Sequence, residues 1–267
     1  MKIYKGAISL NQNARGCYIL DTVKGCPGGL LHGGRGCYGA CYAKNIADRY
    51  GFDFSRTVIR EFMTDEQQQY LFDFKDERHL NEIIKQIRAA EMPFVRIGEM
   101  GDPSVDWTHT IEVCEKIAVA GKPIVIITKH WNTVPEEMLP RISSLCINTS
   151  ISALDDEEQI EHRLEQFNRL KPFCRSVLRI VSCDFNRYNA NGFDRAIVQD
   201  ELFKIRPNID TVFRHGPRNF FVVNGIVKTC KVDFLKSRVS ASVYRNGAYL
   251  GRCEQCPDMC GVREDSK

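Results

Sequence analysis

Pro123-Ile-Val-Ile-Ile-Thr128 is a continuous apolar, largely β-branched run, the composition of a strand buried on both faces of a parallel sheet. Upstream of it, Asp106 to Ala120 reads as a helix and Phe94-Val-Arg-Ile97 as a strand. Before those, Glu77 to Glu91 carries Leu80, Ile83, Ile84, Ile87 and Ala90 at helical spacing. Downstream come a short helix over Glu136 to Ile142 and the strand Cys146-Ile-Asn-Thr-Ser-Ile-Ser152. Asp155-Asp-Glu-Glu158 then opens a helix to Leu170, with acidic residues at its positive end. Ser176 to Val181 is the next strand and Phe193 to Ile205 the next helix. With an early strand at Cys17 to Leu20 and a last one at Thr211 to Arg214, the chain has about six strand-helix units. Parallel strands need crossovers, and sequential ones tend to be neighbours. The fold class expected is therefore α/β, a TIM-like partial (β/α)6 barrel of parallel strands.

The end of the chain breaks this alternation. Phe220 to Lys228 and Ala241 to Leu250 each place Asn-Gly between strand-like runs, a short-range hairpin signal. Two regions are expected: 1–215, the partial barrel with an N-terminal cysteine loop, and 216–267, a small antiparallel hairpin cap with a cysteine-rich tail. No apolar run reaches the length of a membrane span or a signal peptide, so no membrane partner is expected and the location expected is cytoplasmic. A net charge of +3 argues neither for nor against nucleic acid.

Twelve cysteines in 267 residues exceed the usual share, and in a reducing compartment close-set cysteines read as metal ligands rather than disulfides. Cys26, Cys37 and Cys41 lie in the glycine-rich stretch Gly25 to Ala43, three thiols on a pliable loop suited to an iron-sulfur cluster. Three ligands leave one iron open for chemistry. Cys17 competes with Cys26 as the first ligand. A second group is Cys253-Glu-Gln-Cys256-Pro-Asp-Met-Cys260 with Cys230 upstream, four thiolates that suit either tetrahedral zinc or an auxiliary cluster. Cys114, Cys146, Cys174 and Cys183 sit in apolar segments and read as small buried hydrophobes.

The triad at the head of a partial β/α barrel resembles the radical S-adenosylmethionine (radical SAM) superfamily. Its Cys37-Tyr-Gly-Ala-Cys-Tyr-Ala43 core, Gly101-Asp102 and clustered-cysteine tail are similar to phage-type radical SAM-like proteins. The superfamily's usual spacing is three residues and then two; here it is ten and then three. The resemblance implies a 4Fe-4S cluster on Cys26, Cys37 and Cys41, with SAM bound to the open iron and cleaved to a 5'-deoxyadenosyl radical that abstracts hydrogen. It implies that Gly98 and Glu99 stand where the family's Gly-Gly-Glu motif receives the SAM amino group, with Asp102 the rival. It places Ser150, Ser152 and Arg179 among the SAM contacts. Thr128, Lys129, His130, Ser182, Asp184, Arg214 and His215 end strands on the same rim, and Tyr38 and Tyr42 would shield the cluster. An electron donor such as flavodoxin or ferredoxin is implied, and the substrate is a peptide, a nucleotide or a small molecule.

Two other classes fit the same residues: an iron-sulfur sensor or nucleic-acid-binding protein that does not cleave SAM, and a zinc-binding structural module.

Overall fold

A computed structural model describes residues 4–63, 77–205, 211–212, 215–230, 238–241, 244–249, 251–256 and 258–263. The strands are β1 (Tyr4–Ala7), β2 (Leu10–Gln12), β3 (Tyr18–Leu20), β4 (Val23–Lys24), β5 (Val58–Glu61), β6 (Val95–Ile97), β7 (Ile124–Thr128), β8 (Leu145–Ile151), β9 (Arg175–Ser182), β10 (Thr211–Val212), β11 (Arg238–Ala241) and β12 (Tyr244–Tyr249). The helices are α1 (Leu31–Gly34), α2 (Tyr42–Arg49), α3 (Arg78–Ala89), α4 (Trp107–Ala118), α5 (Glu157–Leu170), α6 (Ala190–Ile205) and α7 (Phe220–Val223). Among the described residues, no helix is long and apolar enough to cross a membrane.

The main sheet runs β10-β9-β8-β7-β6-β3-β2. Six of its strands, β3 and β6 to β10, are mutually parallel and adjacent in chain order; β2 closes one edge antiparallel. This is the order expected from a helical crossover after each strand. The pattern of residues 77–205 was readable because apolar residues recur along each strand, and β8 is buried at all seven positions. Helix α5 starts on a capping box between Asp156 and Gln159, beside the acidic cluster seen in the sequence. A smaller sheet, β1-β5-β4, sits beside the first.

The two faces of the main sheet differ. On one, Val95, Ile97, Ile124, Ile126, Leu145 and Ile147 pack against Leu80, Ile83, Ile87, Ile111 and Ile117 of α3 and α4. Ile151, Leu178 and Ile180 continue that face against Ala196, Leu202 and Phe203 of α6. On the other face the strand registers align Ile19, Arg96, Val125 and Cys146 in one row, Ile127, Asn148 and Val177 in the next, and Ser150 with Arg179 beyond. That face is apolar where the strands start and polar where they end.

Neither Asn-Gly hairpin forms as expected. Asn219 accepts a hydrogen bond from the Phe221 amide (2.9 Å) and caps α7, and Asn224-Gly225 does turn the chain, with Gly225 at φ +69°, but as the C-terminal cap of that helix and not between two strands. In the second, β11 and β12 do pair antiparallel, but Asn246 and Gly247 lie inside β12 and the connection falls at 242–243, outside the described residues. The expected strand to Arg214 is seen at Thr211–Val212, and Arg214 lies outside the described residues.

Candidate cluster site

The loop carrying Cys26, Cys37 and Cys41 crosses the C-terminal ends of the parallel strands, where β/α proteins build their sites. Its backbone is tied to that edge. Gly25 donates to the Met100 carbonyl (3.1 Å) and bridges Gly101; a Cβ at Gly101 would stand 2.3 Å from the Val23 carbonyl oxygen, so only glycine permits the approach. Cys26 donates its amide to Phe54 (3.2 Å) and Cys41 to Arg35 (2.8 Å). Gly36 has φ +86°, and a Cβ there would lie 2.3 Å from that of Cys41, which folds the loop back between the last two cysteines.

The three thiols are electrostatic neighbours. Burial pushes the Cys26 thiol up, helped by the charge of Asp102 and by Cys37 and Cys41. Burial raises Cys37 to about 11, against the pull of Lys129 and Arg163. Cys26 and Cys41 also pack on the same apolar patch of Ala43, Ala47 and Phe54. Cys17 is not part of this group, which leaves Cys26 as its first cysteine.

Beneath the loop lies a buried ion network. Lys129 donates to both oxygens of Asp155 (2.9 and 3.0 Å), Arg163 pairs with the same carboxylate, and Arg163 Nε donates to the Lys129 carbonyl (2.7 Å). The two cations hold Asp155 below the usual carboxylate range despite its burial. Tyr38 lies over the Lys129 ammonium (4.4 Å to the ring centre) and shares a hydrogen bond with Ser150 (3.4 Å).

The candidate SAM contacts fall into two sets. Gly98 (φ +93°) receives both Arg96 donors on its carbonyl (3.1 and 3.0 Å). Glu99 donates its amide to Asp21 (2.7 Å) and accepts from the Tyr42 hydroxyl on its carbonyl (3.0 Å), which leaves its partly exposed side chain at the mouth near Arg96. Arg179, in register with Ser150, has Cys260, Arg96, Arg15 and Cys253 as its charged neighbours, so it faces the tail cysteines and not the triad. The other set is engaged by the protein. Asp102 accepts from the Ser104 amide (3.0 Å) and hydroxyl (2.7 Å), the Thr128 hydroxyl (2.6 Å) and the Lys129 amide (2.8 Å). Ser152, fully buried, accepts from the Leu154 amide (3.2 Å) and donates its own to Asp155 (2.9 Å). His130 is fully buried against Thr149 (3.0 Å) and Trp107.

Three contributors escaped sequence reasoning. Asp21 pins the amides of Glu99 and Met100 (2.7 and 3.1 Å), and burial raises its carboxyl. Its only signal was a carboxylate directly after a strand. Trp131 fills the space a Cβ at Gly28 would occupy (2.6 Å), and its buried Nε1 has no hydrogen-bond partner among the described residues. Arg163 reads in sequence as a surface helix residue, yet it is 1% exposed.

The tail group is elsewhere. Cys260 packs at Cys146 and beside Val177, near the start of β9, whereas Cys230 donates its amide to His215 (3.0 Å) and lies near Cys183, just past the end of β9. Six strand residues at about 3.3 Å each separate the two ends by roughly 20 Å. Cys230 therefore does not join Cys253, Cys256 and Cys260, because sequence proximity is overridden by the length of the sheet. The residue that does join them is Cys17, which packs in one cluster with Cys253 and Cys260 beside Ile19, Phe94 and Val125. Cys146, expected to be a plain buried hydrophobe, directs its thiol at the Cys260 carbonyl (3.2 Å).

Among the described residues, no three His, Cys, Asp or Glu side chains stand at the spacing of ligands around a single metal ion. The chemistry of the triad's donors and the space around it nonetheless suit a larger, anionic group: thiols on a loop that can adjust, an unpartnered indole N–H, and a lysine and an arginine beneath. An open cleft of about 670 Å³, lined by Arg35, Gly39, Asn45, Asp48, Arg218 and Asn219, flanks the loop. No protein-family model, curated protein or solved structure matches the chain.

Proposed function

We propose that the protein is a radical SAM enzyme whose main sheet curls into a partial (β/α)6 barrel, with Cys26, Cys37 and Cys41 holding a 4Fe-4S cluster at its mouth. The observation that carries this reading is one loop bearing three cysteines over the C-terminal edge of six parallel strands, next to the unpartnered Trp131 Nε1. Bound there, the cluster would pass an electron to SAM, giving methionine and a 5'-deoxyadenosyl radical that takes hydrogen from the substrate. Trp131 Nε1 would donate a hydrogen bond to the bound group, and the buried Lys129 ammonium would offset its negative charge. Glu99 would receive the SAM amino group on its carboxylate, whereas Arg179, set among Arg15, Cys253 and Cys260, lies too far toward the tail to serve SAM. Tyr38 closes the loop onto the sheet edge over Lys129 and would keep water from the site, and Tyr42 ties the loop to the Glu99 carbonyl. The cleft beside the loop is the entry for substrate, and a flavodoxin or ferredoxin would supply electrons.

A cluster protein that does not cleave SAM is the second reading, favoured by the engagement of Asp102 and Ser152 in the protein's own hydrogen bonds. One experiment separates the two. Anaerobically reconstituted protein, given dithionite and SAM, should release 5'-deoxyadenosine, and Cys37→Ala should release none. Iron and sulfide bound without 5'-deoxyadenosine would establish the second reading, and a colourless protein holding only zinc would sink both.

A further inference from the structure

We propose that Cys17, Cys253, Cys256 and Cys260 form a second, four-thiolate metal site at the N-terminal ends of the parallel strands, on the opposite side of the sheet's polar face from the triad. The assignment stands independently of the triad's function.

Four elements converge to make this site. Cys17 directly precedes β3, and its amide is held by Asn13 Oδ1 (3.1 Å). Residues 251–256 are stitched to the same corner: Arg15 Nε donates to the Gly251 carbonyl (2.8 Å), the Cys253 amide donates to the Arg15 carbonyl (2.9 Å), and the Cys256 amide donates to the Cys253 carbonyl (3.1 Å). The Cys260 carbonyl is clamped to β8 by Asn148 Nδ2 (2.9 Å) and the Cys146 thiol. Met259 and Cys260 both have positive φ (43° and 55°), a conformation that non-glycine residues hold only when their surroundings impose it. Met259 is buried among Cys17, Ile19, Phe94 and Val125, which locks that turn under the sheet.

The thiol chemistry agrees with this geometry. Cys17, Cys253 and Cys260 pack in one cluster, and Cys260 feels the charge of both Cys253 and Cys256. Arg96 and Arg179 approach from the sheet, and each senses the Cys260 sulfur. Four thiolates around a divalent ion or an iron-sulfur core carry net negative charge, and these guanidinium groups complement it. A Cys-x2-Cys-x3-Cys loop with a fourth cysteine from a distant strand is a closed ligand set, with no position left for substrate. On binding, the thiol protons leave to solvent and the four sulfurs turn about their side-chain torsions to meet the metal.

The test uses full-length protein carrying C26S, C37S and C41S together, so that the triad contributes nothing. Purified anaerobically, this variant should still hold either zinc, or iron with matching sulfide, with an all-sulfur first shell by X-ray absorption. Adding Cys17→Ser should lower metal retention against a competing chelator at least tenfold, and adding Cys230→Ser should leave it unchanged. Cys256, partly exposed on the tail, provides a second variant; loss of metal in Cys256→Ser with an unchanged far-ultraviolet circular dichroism spectrum separates ligation from folding. The proposal is overturned if the triad-free protein binds no metal, or if Cys230→Ser releases it as readily as Cys17→Ser. Failure of SAM cleavage leaves this measurement untouched, so the two proposals fail separately.

Discussion

The two cysteine groups occupy opposite ends of one sheet and are built by opposite means. The triad is local: the sixteen residues from Cys26 to Cys41 fold back on themselves, and the sheet edge only positions the result. The tail group is assembled over the whole chain, with Arg15 bonded to Gly251 across 236 residues and Cys260 held by the middle of β8. The triad rests on a buried ion network that includes Lys129 and Asp155, and the tail group on apolar packing under Ile19, Phe94 and Val125. A loop of adjustable backbone over a charged floor suits a centre that exchanges ligands. A clamped turn in an apolar corner suits one that does not.

This contrast predicts that the charged floor is the more sensitive end. Asp155→Asn leaves Lys129 and Arg163 buried without their anion, and the expected loss of stability is about 3–5 kcal/mol in denaturant unfolding. A loss below about 1 kcal/mol would mean that the network is not buried as described. The sign with pH follows from Asp155 lying below its unfolded value. Its contribution is present above about pH 3.9 and fades as pH falls through the lower folded value, so this part of the acid-unfolding profile should disappear in the variant.

At the other end, Asn148→Ala removes the amide donor to the Cys260 carbonyl but leaves the Cys146 thiol and the apolar packing. A loss of about 1 kcal/mol is expected, together with faster hydrogen exchange confined to residues 258–263. Protection lost over the triad loop instead would contradict the separation of the two ends. The smallest effect belongs to Asp21→Asn. Because burial raises the Asp21 carboxyl, its ionised form opposes folding, and wild-type stability from this group grows as pH falls toward the unfolded value. Asparagine keeps the acceptor for the Glu99 and Met100 amides, so stability at pH 7 should change by no more than about 1 kcal/mol and that acidic slope should flatten.

What the sequence disclosed followed the same divide between local and long-range. The strands from Phe94 to Val181 and the helices between them were legible because buried parallel strands need apolar runs, and the triad because its cysteines are near one another. Cys17 was misassigned to the triad's neighbourhood, and Cys230 to the tail, because proximity in the chain was the only guide where the sheet sets the distance. Asn224-Gly225 carried a real turn preference and does turn the chain, but the segment before it is the helix capped by Asn219 and not a strand. Arg163 and Asp155 gave no signal beyond their charge, since a fully buried ion network looks in sequence like a solvated helix start.

The stitch between Arg15, Cys17 and residues 251–260 also bears on how the molecule is made. During synthesis the segment that covers the start of β3 follows Arg15 by 236 residues, so the corner around Ile19, Phe94 and Val125 stays open while the remaining parallel strands are added. Such a contact raises the contact order and makes the closing step slow. The arrival of residues 251–260 is therefore the event that closes this corner of the sheet.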